Sequence, residues 1–211
     1  DVNSADDNPV IGTRSFGADP DAVARHTVAY VEGLATRSVA ACAKHFPGHG
    51  DTHTDSHLEQ PHVLADLDTV HRRELAPFRA AIAAGVPTVM TSHILVPALD
   101  PSAPATFSER ILQEVLRAEL GFTGVIVTDA LDMAGASATQ GIPTAAVRAL
   151  VAGADLLCLG SETTAQAYAA VLDAIVAAVD AGLLDRRRLE DAAARVATLA
   201  DTYSLPLAAV R

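Results

Sequence analysis

Val39–Phe46, VAACAKHF, is an apolar run of strand length that ends on a lysine and a histidine. Its apolar residues are continuous rather than alternating, the pattern of a strand buried on both faces. Val86–His93 (VPTVMTSH), Val125–Asp129 (VIVTD) and Ala154–Leu159 (ADLLCL) have the same character. Helical patterns with recognisable ends lie between and around these runs. Asp19-Pro20 opens one that reaches about Arg37, with proline at a tolerated first-turn position. Asp66 to Ala84 carries another, interrupted at Pro77 and stopped by Gly85. Ser108 caps SERILQEVLRAEL, Thr144 to Ala152 is short, and Ser161 and Asp185 read as N-caps of the last two helices.

Strands alternating with helices predict an α/β fold built from parallel βαβ units. An open doubly wound sheet gathers its ligand contacts at one switch point. Here Lys44-His45, Ser92-His93 and Asp129 fall at the C-terminal ends of three different strands, which favours a (β/α)8 TIM-type barrel. Four strands are convincing, with the end of a fifth at Asp1-Val2-Asn3, and the barrel needs eight. The expectation is therefore one domain over residues 1–211 that forms the later part of a barrel. Its N-terminal strands would come from an upstream segment or a partner chain.

Fifteen basic against 26 acidic residues give a formal charge of −11 without a basic run, so no nucleic-acid footprint is present. Cys42 and Cys158 each lie in an apolar run, where cysteine behaves as a small buried hydrophobe, and two such residues make no disulfide framework. No apolar run reaches the roughly 18 residues of a membrane span. The polar start DVNSADDNP is not a signal peptide. That leaves the cytoplasm and the cell envelope both open.

The segment Lys44–His62, KHFPGHGDTHTDSHLEQPH, holds five of the chain's eight histidines. Pro47, Gly48 and Gly50 break any helical run, so His49, His53 and His57 do not share a helix face despite their four-residue spacing. Such side chains are placed individually, around a concave site. In Asp55-Ser56-His57 a carboxylate two residues away can orient the imidazole, which points to general acid/base work. Asp129 ends a rigid strand, a good position for a nucleophile that attacks an anomeric carbon. Asp132 competes with it, and a turn-forming aspartate is the bland alternative. Lys44 and His45 would meet sugar hydroxyls or a carboxylate, and Arg14, in NPVIGTRSFG, could fork onto a polar ligand or sit as a solvated loop charge. His49, His53, Asp55 and His57 also read as H-x3-H-x-D-x-H, a set of zinc-ligand types. No H-E-x-x-H motif appears, and Lys44 would repel a cationic centre, so no metal is expected.

KHFPGHGDTHTDSH, with NPVIGTRSFG upstream and GVIVTDALDM downstream, closely resembles glycoside hydrolase family 3, in its β-N-acetylglucosaminidase branch of the NagZ type. The D-S-H element distinguishes that branch from the family's β-glucosidases. The resemblance runs in order over nearly the whole chain and implies a (β/α)8 barrel. It also implies His57 as acid/base, Asp55 as its dyad partner, Asp129 as nucleophile, and Arg14, Lys44 and His45 around the N-acetylglucosamine ring. Family members carry early strands before the segment that matches Asp1. The implied activity is retaining exo-β-N-acetylglucosaminidase action on muropeptides or other glycosides that end in N-acetylglucosamine. Phosphorolysis is an alternative, because a neutral histidine does not repel an incoming phosphate. A non-catalytic sugar-binding barrel fragment is another.

Overall fold

The computed structural model describes residues 1–53, 60–138, 140–161 and 163–204. Three of the apolar runs form strands, each shorter than its run: β1 (Cys42–Phe46), β2 (Thr88–Thr91) and β3 (Val125–Val127). They pair in parallel in the order β1-β2-β3, with Cys42 opposite Thr88 and Thr88 opposite Val125. The fourth run supplies one parallel bridge, Leu156 to Val127, rather than a strand. Asp155 is the reason. Its N–H and that of Leu156 both donate to the same Ile126 carbonyl, at 2.8 and 3.1 Å, so no regular ladder can start.

The two faces of the sheet differ. Ala43, Val89 and Ile126 stand in register on one face and are buried in the main core with Phe46, Phe78, Leu75 and Leu112. The Phe46 and Phe78 rings meet edge to face at 5.1 Å. On the other face Cys42 is exposed and Met90 and Val127 are half-buried, while Thr88 and Val125 are buried. Among the described residues, no helix is long and apolar enough to cross a membrane.

Most helix ends follow the sequence reading. Asp19 accepts from the N–H groups of Asp21 and Ala22 at the start of the helix Pro20–Ala35, and Asp185 accepts from that of Arg187 at the start of Arg186–Tyr203. Gly85 stops its helix with φ +77°. Thr164, not Ser161, caps Ala165–Asp180, because the Ala167 N–H reaches its hydroxyl at 3.1 Å. Two stretches are wider than α-helix: Val70–Glu74 and Arg110–Glu119 form π-helical turns.

Asp155 also locks the helices to the sheet. Its side chain is fully buried and accepts from Arg117 at 2.5 Å, Arg188 at 2.8 Å, Arg195 at 3.3 Å and the Ile126 N–H at 3.0 Å. One carboxylate thus joins Arg110–Glu119, Arg186–Tyr203 and β3.

Candidate active site

Polar side chains gather at the C-terminal ends of the strands. Ala43 pairs with Val89 but Phe46 with Thr91, so three steps along β1 match two along β2. The extra residue bulges out at Lys44-His45 and re-aims both side chains, a device common at barrel rims and active sites. Lys44 is exposed, whereas His45 is buried. The Asp1 carboxylate accepts from the N–H groups of His45 and His49 at 2.9 and 2.7 Å, and meets His45 Nδ1 at 2.7 Å. A carboxylate offers only acceptors, so Nδ1 carries the imidazole proton. His45 Nε2 then faces Asp129 Oδ2 at 3.8 Å.

Asp129 lies two residues beyond β3. One of its oxygens accepts the Ala130 N–H at 2.8 Å, while the side chain stays 22% exposed. Asp132 lies close to Gly160: a Cβ placed there would lie 2.0 Å from its carboxylate. His93, read from the sequence as a residue of the mouth, is instead buried. It bridges Thr106 Oγ1 at 2.9 Å and the Ala130 carbonyl at 3.0 Å, so it holds the turn that presents Asp129.

The Pro47–Gly50 loop is packed against the segment Asp1–Asn8. The Asn8 amide donates to the His49 carbonyl at 2.9 Å and to Thr52 Oγ1 at 3.3 Å, and Thr52 Oγ1 meets His49 Nδ1 at 3.0 Å. Gly50 is required there, because a Cβ would fall 1.7 Å from the Val2 carbonyl oxygen. Asp55 and His57 lie outside the described residues. The chain is tied again at Pro61 and Val63, which exchange hydrogen bonds of 3.0 and 2.9 Å with Leu95.

Arg14 sits on the short turn Gly12–Arg14, which Asn8 orders by accepting the Val10 and Ile11 N–H groups at 3.0 and 2.8 Å. It lines a cavity of about 330 Å³ with Asp1, Lys44, Cys42, Tyr30 and Phe78. The charges of Asp129, Lys44 and Arg14 all act on the His45 imidazole. In the structure His45 faces Asp129, and Arg14 and Lys44 line the cavity together with Asp1, whose carboxylate holds His45. Sequence reasoning missed Asp1 as an orienting carboxylate, since it lies 44 positions from His45; Asp1–Asn3, expected as the end of a fifth strand, is not in a strand here.

Burial lowers the pKa of His45 and of His93, and pushes that of His49 down to about 4 from the ordinary 6.5. A folded-state pKa below the unfolded one means that the unfolded chain binds more protons as the pH drops. The stability contribution is thus complete above pH 6.5 and lost progressively towards pH 4. The denaturant midpoint is expected to fall between pH 7 and pH 5, with a shallower fall in His49→Gln. Equal midpoints at both pH values would contradict neutral buried histidines.

The chain is similar to known glycoside hydrolases. The chain is 38% identical to Beta-hexosaminidase A of Pseudoalteromonas piscicida, over 94% of this chain and 36% of that protein. It is 42% identical to the solved structure of a glycoside hydrolase family 3 β-N-acetylglucosaminidase from Paenibacillus sp. str. FPU-7, with a TM-score of 0.93 over 98% of this chain and 40% of that one. It is also 27% identical to a solved β-glucoside phosphorylase, BglX, with a TM-score of 0.88 over 96% of this chain and 37% of that one. The chain thus spans well under half the length of these relatives. The profile of the glycosyl hydrolase family 3 N terminal domain matches residues 1–199, and the chain belongs to that family.

Proposed function

We propose that the protein is a retaining exo-β-N-acetylglucosaminidase that removes terminal N-acetylglucosamine from cell-wall muropeptides or related glycosides. The observation that carries this reading is the placement of Asp129 at the end of β3, partly exposed and 3.8 Å from the buried His45 imidazole. Asp129 attacks the anomeric carbon while His57, oriented by Asp55, protonates the leaving oxygen. His57 then takes a proton from a water whose oxygen attacks the anomeric carbon, which breaks the bond to Asp129 and releases the sugar with its configuration kept. Three parallel strands in sequential order, with polar groups at one end, suit part of a (β/α)8 barrel of this family.

Arg14, Lys44 and His45 hold the sugar. With Nδ1 donating to Asp1, His45 Nε2 is an acceptor that faces a second acceptor, Asp129 Oδ2, too far away for a direct hydrogen bond. A substrate hydroxyl suits that space, because it can donate to one and place its carbon framework against the other.

The test is to follow an aryl β-N-acetylglucosaminide by NMR in the complete protein. The first product is expected to be β-configured N-acetylglucosamine, and an α-configured first product would sink the mechanism. Phosphorolysis is the second reading, supported by the similarity to the β-glucoside phosphorylase. Formation of N-acetylglucosamine 1-phosphate in phosphate buffer would favour it over hydrolysis.

A further inference from the structure

His93 is a buried histidine that the proposed chemistry does not use. It stands two residues beyond β2, with Nε2 3.0 Å from the Ala130 carbonyl oxygen and Nδ1 2.9 Å from Thr106 Oγ1. Phe107 stacks on the ring, with centroids 6.2 Å apart and planes 13° apart. These contacts leave one arrangement of protons. A carbonyl oxygen only accepts, so Nε2 carries the imidazole proton and donates to Ala130. Burial keeps the ring neutral, which makes Nδ1 an acceptor that the Thr106 hydroxyl serves. With its one proton so used, Thr106 Oγ1 accepts from the Thr91 hydroxyl at 2.7 Å. The Ser92 carbonyl, also 2.9 Å from Thr106 Oγ1, takes the Thr106 N–H instead, at 3.1 Å.

This chain of donors ends on one peptide plane, the one between Ala130 and Leu131, which is held at both of its polar groups. Its oxygen accepts from His93 and, at 3.2 Å, from the Met133 N–H, while its N–H donates to the Cys158 carbonyl at 2.9 Å. The preceding peptide carries the Ala130 N–H, which donates to Asp129 Oδ1 at 2.8 Å. Only the two soft dihedrals of Ala130 separate the fixed plane from that N–H. The oxygen it ties is thereby set apart from Oδ2, which faces His45 Nε2 at 3.8 Å.

We propose that His93 is a positioning residue for the nucleophile: by pinning the Ala130–Leu131 peptide it aims the Ala130 N–H at Asp129 Oδ1 and leaves Oδ2 to form the bond to the sugar. The proposal rests on the reading of Asp129 as nucleophile. Oδ2 gives an electron pair to the anomeric carbon as the bond to the leaving oxygen breaks, and that oxygen keeps the bond's electrons and takes a proton from the general acid. His93 touches no reacting atom and gives up no proton. Its effect is geometric: a displacement of about 1 Å at a catalytic group can cost on the order of 10²-fold in rate.

Misplacement of the nucleophile has a signature that loss of acid catalysis lacks, because activated and poor leaving groups need the same attack. In the complete protein, His93→Leu and His93→Gln are to be compared with Asp129→Ala, each with a melting curve to confirm folding. Leucine removes both polar contacts, whereas glutamine returns an N–H near the place of Nε2. For His93→Leu, kcat/KM is expected to fall by about 10²-fold on dinitrophenyl and on alkyl β-N-acetylglucosaminides alike, with inhibition by free N-acetylglucosamine changed by less than about threefold. His93→Gln should recover at least about tenfold of that loss. The wild-type protein gives a second readout that needs no variant: the nitrogen NMR shifts of His93 should show a protonated Nε2 and a bare Nδ1. A proton on Nδ1 of His93, folded variants that keep wild-type kcat/KM, or a His93→Gln no better than His93→Leu would each overturn the positioning role. If Asp129→Ala keeps its turnover, the nucleophile reading fails and this proposal falls with it. If Asp129→Ala is inactive and the His93 variants are unimpaired, the positioning role alone is wrong.

Discussion

Asp129→Ala is expected to reduce turnover by at least about 10⁴-fold while leaving the protein folded, since loss of a nucleophile removes the covalent route altogether. The fold should tolerate the change, because the side chain is 22% exposed and, among the described residues, its hydrogen bond is to the neighbouring Ala130 N–H. His93 holds the Ala130 carbonyl independently, so the turn keeps its shape without the carboxylate. Asp132→Ala should retain far more activity, as that carboxylate lies close to Gly160. Steady-state rates with an activated aryl glycoside, with a melting curve for each variant, check both statements. A larger loss in Asp132→Ala than in Asp129→Ala would reverse the assignment.

Asp155→Ala should have the largest effect on stability. Three guanidinium groups, from Arg117, Arg188 and Arg195, converge on this one buried carboxylate. Removal of one partner from a buried ionic cluster leaves uncompensated charge and costs about 3–5 kcal/mol. Here it also orphans the Ile126 N–H on β3. In a chain of this size each kcal/mol shifts Tm by about 2–4 °C, so a fall of about 6–20 °C is expected. The exposed pair Asp7–His53 provides the contrast. Both of its side chains are more than half exposed, and Asp7→Ala should change Tm little. Calorimetry on both variants decides, and similar small shifts would show that the Asp155 cluster is not the clamp between the helices and β3.

The strand ends were legible because each continuous apolar run stops at polar residues, and parallel strands place such stops at one end of the sheet. Lys44-His45 and Asp129 therefore emerged as a site from the sequence. The bulge that separates the exposed Lys44 from the buried His45 was not visible, because it depends on pairing with β2. Asp155 was hidden for a similar reason. ADLLCL reads as one continuous strand run despite its aspartate, and the three arginine partners of that aspartate lie more than 30 positions away in the sequence. His93 was legible only as a polar residue at a strand end; its bonds to Thr106 and the Ala130 carbonyl depend on residues 13 and 37 positions away. The π-helical turns at Val70–Glu74 and Arg110–Glu119 left no mark on the apolar periodicity, which fits α-helix equally well. Asp55 and His57 were legible only as a spacing and a resemblance, and they lie outside the described residues.

The central claim is that Asp129 forms the covalent bond to the sugar, and a trapped intermediate tests it most directly. The complete protein would be treated with a slow, activated fluorosugar substrate, digested, and the adduct located by tandem mass spectrometry. The peptide containing GVIVTDALDM is expected to carry one added sugar residue, with the fragment series placing it on Asp129. An adduct on Asp132, or on any peptide outside the end of β3, would contradict the account.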